Sequence, residues 1–419
     1  MLNQVDVVKE TRTYLGEAIA LLQRLIQSRS IQGNELGAQR LVADFLGSLG
    51  LLVDLWEPSI EELRQNPLSC SERETFEGSP NVVAIWRGSS GGRSLILNSH
   101  IDVIPVTDEE EWHHDPWAGE VCDGRVYGRG ASDMLGGLVA CCLAIRVLRL
   151  SGLTPSGDII VESVVDEETG GAGTLAAITR GYRAEGAIIP EPTDLRVFAW
   201  QQGAMWFRVT VTGRAAHAGT RYKGVSAIEK AVLALRALGR LEEARNRALP
   251  ASFSVDNPIP LPISVGVITG GTMPSVVPQT VVLEGRLGVG PGENPDSAKQ
   301  DMGKALNELK TEDSWFAKEP VKLEWFGANW LPGSIQPDHP LLQTILSKAE
   351  EVLGKTPNIV LSPWATDGGL LSRMSVPTVV FGPGSSAVAH SRDEFVNVAH
   401  IQEAAIVIAK SALEWCRFA

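Results

Sequence analysis

Two histidines and several carboxylates stand in this chain where short apolar runs end. His100 and Asp102, in Ser99-His100-Ile101-Asp102-Val103, follow the apolar run Ser94–Asn98. Asp133 lies in the glycine-rich stretch Gly128-Arg129-Gly130-Ala131-Ser132-Asp133 at the head of a helical run. Asp166-Glu167-Glu168 closes the run Asp158–Val165, and Glu191 sits between Pro190 and Pro192 after Ala187–Ile189. His390 follows the turn Gly382-Pro383-Gly384. None of these positions is a cysteine, and imidazole with carboxylate oxygen suits zinc, manganese or cobalt better than a thiolate-bound metal. A divalent ion held by such donors could lower the pKa of water and polarise a carbonyl.

Taken singly, each motif has a plainer reading. Side chains alternate along a strand, so His100 and Asp102 share a side and Asp102 can fix the second ring nitrogen of a metal-bound His100. The same pair also suits a satisfied core histidine. Asp133 fits a helix N-cap as well as a ligand, and a cap from Ser132 would free it for a metal. Three consecutive acids repel one another unless cations or solvent compensate, and a solvated turn is the simple alternative. For the acids, position weighs against that alternative. In an open α/β sheet, ligands gather outside the carboxyl ends of the strands, where these acids would all lie.

The elements that must position them follow from periodicity. Leu15, Ile19, Leu22 and Ile26 recur at helical spacing near the start of the chain. Strand-like runs at Asn81–Trp86, Ser94–Asn98, Asp158–Val165 and Ala187–Ile189 alternate with helical runs at Gly136–Leu150 and Gly173–Arg180. That alternation predicts an α/β sheet covered on both faces. The middle reads differently. A strand at Met205–Thr212, a helix at Val225–Leu249, strands at Ile263–Thr269 and Thr280–Leu287 and a helix near Ser297–Leu309 suit a small α+β insert in β-α-β-β-α-β order. Helices near Pro340–Leu353 and Ala399–Trp415 flank a short strand at Thr378–Phe381 and return the chain to the first domain. The expected division is 1–204 with 321–419 around an insert at 205–320.

Composition narrows the function classes. A chain of 419 residues is long for one core, and its 44% hydrophobic and 21% charged residues describe a folded protein. A net charge of −13 argues against nucleic-acid or anionic-membrane partners. No stretch is expected to reach the roughly 20 apolar residues a membrane helix needs. The N-terminal residues show no secretory pattern. Five cysteines without metal-binding spacing read as reduced thiols, and the expected location is cytoplasmic.

In this order and combination, the five segments resemble the M20 family of metallohydrolases, which includes acetylornithine deacetylase, succinyl-diaminopimelate desuccinylase, aminoacylases and carboxypeptidases. The similarity runs from about residue 15 to the C-terminus. The resemblance implies an α/β/α catalytic domain with a central mixed sheet and an inserted α+β lid and dimerisation domain. It implies two divalent metal ions, zinc first, with manganese or cobalt as alternatives. His100 and Glu191 would hold one ion, Glu168 and His390 the other, and Asp133 would bridge them. Asp102 would steady His100, and Glu167 would be the general base. In Gly213-Arg214-Ala215-Ala216-His217-Ala218-Gly219, His217 would bind substrate, and Arg286 stands where relatives hold a substrate carboxylate. A surface-loop histidine capping the following helix, and an Arg286 salt bridge to Glu284 or a neighbour, are the structural alternatives.

The chain departs from relatives at Ser275, where Asn is common, and at Leu135, where Lys is common. Both bear on substrate identity and neither touches a metal ligand. The expected activity is hydrolysis of an amide-type C–N bond, foremost deacylation of a small N-acylated amine or amino acid, by a homodimer or higher homo-oligomer. Cleavage of a dipeptide, deamination of an aromatic amine, and a non-catalytic binding protein are the competing readings.

Overall fold

A computed structural model describes residues 6–150, 152–254 and 257–418. The chain divides into two compact units. The first runs up to Trp200 and takes up Gly333–Val360 and Thr366 onward, and the second comprises Gln201–Pro332 with Leu361–Ala365.

The first unit is built on a mixed sheet of nine strands. Leu95–His100 lies at its centre, parallel to Ile159–Val164 on one side and to Ala187–Ile189 on the other. Thr378–Val380 continues the parallel set beyond Ala187–Ile189. Asn81–Trp86 and Leu52–Trp56 extend the opposite edge in antiparallel pairing. Every residue of Leu95–His100 and Ile159–Val164 is buried. Burial on both faces is why these segments read as apolar runs and not as alternating ones. The chain leaves the central strand for one neighbour, then crosses to the other, so a crevice opens at the carboxyl end of Leu95–His100. Ligand sites of open α/β sheets form at such a switch.

Helices Val7–Gln27, Gly136–Leu150 and Val398–Cys416 pack together into one layer. The middle one is apolar around most of its circumference, as a helix enclosed on all sides must be. With the preceding turn it forms a 20-residue run, Ala131–Leu150, long and apolar enough to cross a membrane. The expectation that no stretch reaches that length is corrected here. The run is 89% buried within the protein, so it serves as a core helix.

The second unit is a four-stranded antiparallel sheet in the order Ile263–Gly270, Thr280–Val289, Gly203–Thr212, Lys322–Trp330. Helices Ala227–Arg247 and Pro295–Asn307 bury Ala231, Ala234, Met302 and Leu306 with Phe207, Val209 and Leu283 of the sheet. The last strand falls outside the expected insert boundary at 320. Its register, Leu323 opposite Val209 and Trp325 opposite Phe207, joins it to the insert's sheet and moves the end of the unit to Pro332.

Candidate metal centre

The acids and histidines at the strand ends meet in the first unit, each held by a different local device. His100 ends the central strand and is 1% exposed. Its Nδ1 lies 2.8 Å from the Asp102 main-chain carbonyl, which assigns the proton to Nδ1 and turns Nε2 to the site. The carboxylate of Asp102 does not make the expected ring contact and stands 3.8 Å from Nδ1. Its oxygens accept the main-chain N–H groups of Glu167 at 3.3 Å and Glu168 at 3.1 Å. The H-x-D spacing thus brings a carbonyl to the ring and sends the side chain to the exit of the neighbouring strand. Asp102 thereby links His100 to both acids.

Asp166 builds the turn that presents those acids. It has a left-handed φ of 68°, and its carboxylate accepts from Thr169 Oγ1 at 2.6 Å, Ser71 Oγ at 2.7 Å and Gln32 Nε2 at 3.3 Å. The three-acid run is therefore one residue that builds the turn, followed by two that join the cluster of histidines and acids. Asp133 sits in a non-helical kink (φ −119°, ψ 97°) just before helix Gly136–Leu150. The Ser132 hydroxyl accepts from Ser385 N at 2.8 Å and donates to Ser385 O at 3.1 Å. The Glu191 segment packs so closely that a Cβ on Gly137 would lie 1.9 Å from the Pro190 carbonyl oxygen. Glycine at 137 is a condition of that approach.

The donors face one another across short gaps. Asp133 Oδ1 is 3.2 Å from His100 Nε2, and Asp133 Oδ2 is 3.3 Å from His390 Nε2. Glu168 Oε1 lies 3.0 Å from His390 Nε2, and Glu191 Oε1 lies 4.0 Å from His100 Nε2. Ligand atoms of His100, Asp133 and Glu168 all fall within 4.8 Å of one another. Glu167 is 8% exposed and belongs to the same electrostatic cluster.

Burial works against charge on His100, but the Asp133 hydrogen bond and the fields of Glu191, Glu167 and Asp102 raise its pKa well above the usual value. Hydrogen bonds to Asp133 and Glu168 lift His390 to about 10. Burial, then mutual repulsion, pushes Glu167 and Glu191 well up, and burial also raises Glu168. Asp133 is lowered, because its two histidine partners outweigh its burial. Four carboxylates crowded around two imidazoles form a donor set that calls for added positive charge. Divalent cations fit that demand, and the oxygen and nitrogen donors fit their chemistry.

The shifts carry a sign for the metal-free protein. A base whose pKa rises from 6.5 to about 10 on folding contributes stability below 6.5 and loses it as pH climbs through 10. Carboxylates raised on folding act in the same direction. Metal-stripped protein is expected to show a falling Tm as pH rises from 6.5 towards 10. A flat or rising Tm across that range would contradict the assignment.

Two further buried groups complete the surroundings and were not singled out from the sequence. Asp367 accepts from Thr174 Oγ1 at 2.6 Å, and burial pushes it up to about 7. It shows the usual signal, an acid followed by glycines after a short apolar run. Glu394 pairs with Arg129 at 2.6 Å, both buried, across a sequence separation of 265 residues that no local pattern reveals.

His217 and Arg286 belong to the second unit. His217 ends a two-residue strand paired with Val276–Val277, and its Nδ1 accepts from Gly219 N at 3.1 Å, which caps the next turn. Arg286 donates to Gln202 Oε1 at 3.2 Å, and burial lowers its pKa. Glu284 pairs with Arg208 instead, so Arg286 has no ion-pair partner among the described residues.

Histidines and carboxylates gathered at the carboxyl ends of parallel strands, in an α/β unit interrupted by an antiparallel α+β insert, define a metal-dependent hydrolase. The chain belongs to peptidase family M20/M25/M40, whose profile matches residues 96–414. An N-formyl-4-amino-5-aminomethyl-2-methylpyrimidine deformylase of Bacillus subtilis (strain 168) is 29% identical over 432 residues, covering 97% of this chain and 96% of that protein. An acetylornithine deacetylase of Edwardsiella ictaluri (strain 93-146) is 28% identical over 422 residues, covering 97% and 99%. A tripeptidase of Staphylococcus aureus shares the fold with a TM-score of 0.73 at 20% identity, covering 96% of this chain and 99% of that one. The chain is accordingly a hydrolytic enzyme of this metallohydrolase family.

Proposed function

We propose that this enzyme removes the acyl group from a small N-acylated amine, using two divalent ions of which zinc is the first choice and manganese or cobalt the alternatives. The observation that carries the reading is Asp133, whose two carboxylate oxygens each face a different histidine at 3.2 and 3.3 Å. His100 and Glu191 would hold one ion, Glu168 and His390 the other, with Asp133 shared. When bound, the ions supply Lewis acidity, which lowers the pKa of water and polarises the scissile carbonyl.

The chain's own groups would do the remaining work. Glu167, buried and raised in pKa, takes a proton from the attacking water and returns it to the departing amine. The C–N bond breaks, a C–O bond forms, and acid and amine leave. Asp102 keeps Glu167 and Glu168 in register through their main-chain N–H groups. His217 and Arg286 are retained as substrate-binding groups on the strength of the family resemblance, and Arg286, which has no ion-pair partner among the described residues, suits a carboxylate ligand. Likeness to a deformylase and a deacetylase across nearly the whole chain favours N-formyl and N-acetyl compounds.

A mass-spectrometric screen of metal-loaded protein against N-formyl, N-acetyl and N-succinyl amines, dipeptides and aromatic amines tests this. Release of amine and acid from one N-acyl class is expected. Ammonia from an aromatic amine, with silence on every acyl compound, would overturn the deacylase reading.

No disulfide joins any two cysteines among the described residues, which suits the cytoplasmic location we propose. We further propose a homodimer, or a higher homo-oligomer, formed through the second unit. Strand Ile263–Gly270 is a sheet edge, with Val267 and Ile268 more than half exposed. Ile228 and Val232 of helix Ala227–Arg247 add to this apolar surface. A long apolar edge strand invites pairing with another chain. Sedimentation at micromolar concentration is expected to show a dimer or larger assembly, and Ile268→Glu to shift it to monomer. A monomeric parent would refute the assembly.

A further inference from the structure

We propose that Glu394 is a positioning residue of the metal centre, holding Asp133 and the His390 segment in one fixed mutual register. The inference rests on the reading of Asp133 and His390 as ligands. Glu394 is fully buried. Its Oε1 accepts the main-chain N–H groups of Ser132 and Asp133, both at 3.0 Å. Its Oε2 accepts from Arg129 Nη1 at 2.6 Å, and its main-chain carbonyl accepts from Gly128 N at 2.8 Å. One residue, four positions beyond His390, thus makes four bonds to the stretch that carries Asp133.

The need for such a device is visible in the backbone. Asp133 lies outside regular helix, so its partly buried N–H draws on an acceptor that the helix does not provide. His390 stands at a left-handed φ of 60° in a segment without regular structure, so no strand or helix fixes its height over the site. The segment is tied at its other end as well, where Ser385 exchanges two hydrogen bonds with Ser132. Outside ties add to these: Asp393 accepts from His113 N and its ring Nδ1, and Arg392 pairs with Glu111. The histidine and the acid that would share an ion are therefore pinned to each other on two sides, and Glu394 is the buried pin. A core ion pair with Arg129 would need only one carboxylate oxygen. The second oxygen, spent on the N–H of Asp133 itself, distinguishes a positioning role from packing.

Groups that orient metal ligands typically cost about 10–100-fold in metal affinity when removed. The test uses the full chain stripped of metal and titrated with Co2+ alone, followed by visible absorption. Glu394→Gln, which leaves one carbonyl oxygen where two carboxylate oxygens stood, is expected to bind Co2+ about 10–100-fold more weakly with unchanged far-UV circular dichroism. Arg129→Lys keeps the bonds from Ser132 and Asp133 and is expected to bind like the parent protein. Equal binding by Glu394→Gln and the parent would overturn the inference, and so would an equal loss in Arg129→Lys. Should Glu394→Gln fail to fold, Glu394→Asp decides on the same titration: weaker binding than Arg129→Lys supports the role, and equal binding refutes it. A parent protein that binds no Co2+, or a His390→Ala variant that binds like the parent, would instead sink the metal centre itself.

Discussion

Glu167→Gln is expected to lower kcat by about 10²–10⁴-fold, the usual contribution of a general acid–base group. The substitution keeps the size and shape of the side chain and removes its ability to take a proton. Burial, opposed by His100 and reinforced by Glu191, holds the acid well above the ordinary carboxylate range. Metal content should survive, because the substitution leaves in place the proposed donors His100, Asp133, Glu168, Glu191 and His390. The measurement is kcat beside metal stoichiometry on the same sample. Unchanged turnover would end the assignment of Glu167 as base. Loss of both ions would move it into the donor set.

The second large effect is expected at Asp133. Asp133→Asn removes the one negative charge that both histidines share and leaves a single oxygen to face two partners. Orienting groups outside the donor shell already cost about 10–100-fold, so a shared donor should cost at least about 100-fold in metal affinity and in activity. Elemental analysis after gel filtration should find fewer than two ions per chain. Two retained ions with full turnover would show that Asp133 is not the bridge. The pair of variants separates roles: Glu167→Gln should lose chemistry and keep metal, whereas Asp133→Asn should lose both.

Much of the fold was legible because the buried strands announce themselves. Asn81–Trp86 and Ala187–Ile189 are continuous apolar runs, and both appear in the structure with the bounds read from sequence. Helices Gly136–Leu150 and Pro340–Leu353 likewise match residue for residue. Leu52–Trp56 was missed: it is an edge strand, its outward residues Leu52 and Leu55 are apolar, and alternation is lost. Lys322–Trp330 was missed as well, since its mixed aromatic and polar residues are mostly half-buried. It is recognised only by its pairing with Gly203–Thr212.

The site was legible where an ionisable residue ends an apolar run, as at His100, the 166–168 acids and Glu191. Spacing did not disclose which atom does what. The role of Asp102 depends on the direction its side chain takes after the strand, and Glu394 with Arg129 depends on a contact between distant segments. Such pairings are products of the folded topology, and no window of neighbouring residues contains them.

The placement of Thr378–Val380 inside the parallel set has a consequence for how the protein is made. A chain emerging from the ribosome presents its segments in order, and domains fold as units once all their parts are available. Residues 201–332 carry all four strands and both long helices of the second unit's sheet, so that part can fold while synthesis continues. The first unit must wait. Its strand Thr378–Val380, the His390 segment and helix Val398–Cys416 are translated only after the second unit. Until they arrive, Ala187–Ile189 lacks one parallel neighbour and the apolar helix Gly136–Leu150 lacks a partner. Until then the apolar helix Gly136–Leu150 leaves uncovered the face that Val398–Cys416 will occupy, and the histidine proposed as a metal ligand joins only after the second unit has been made.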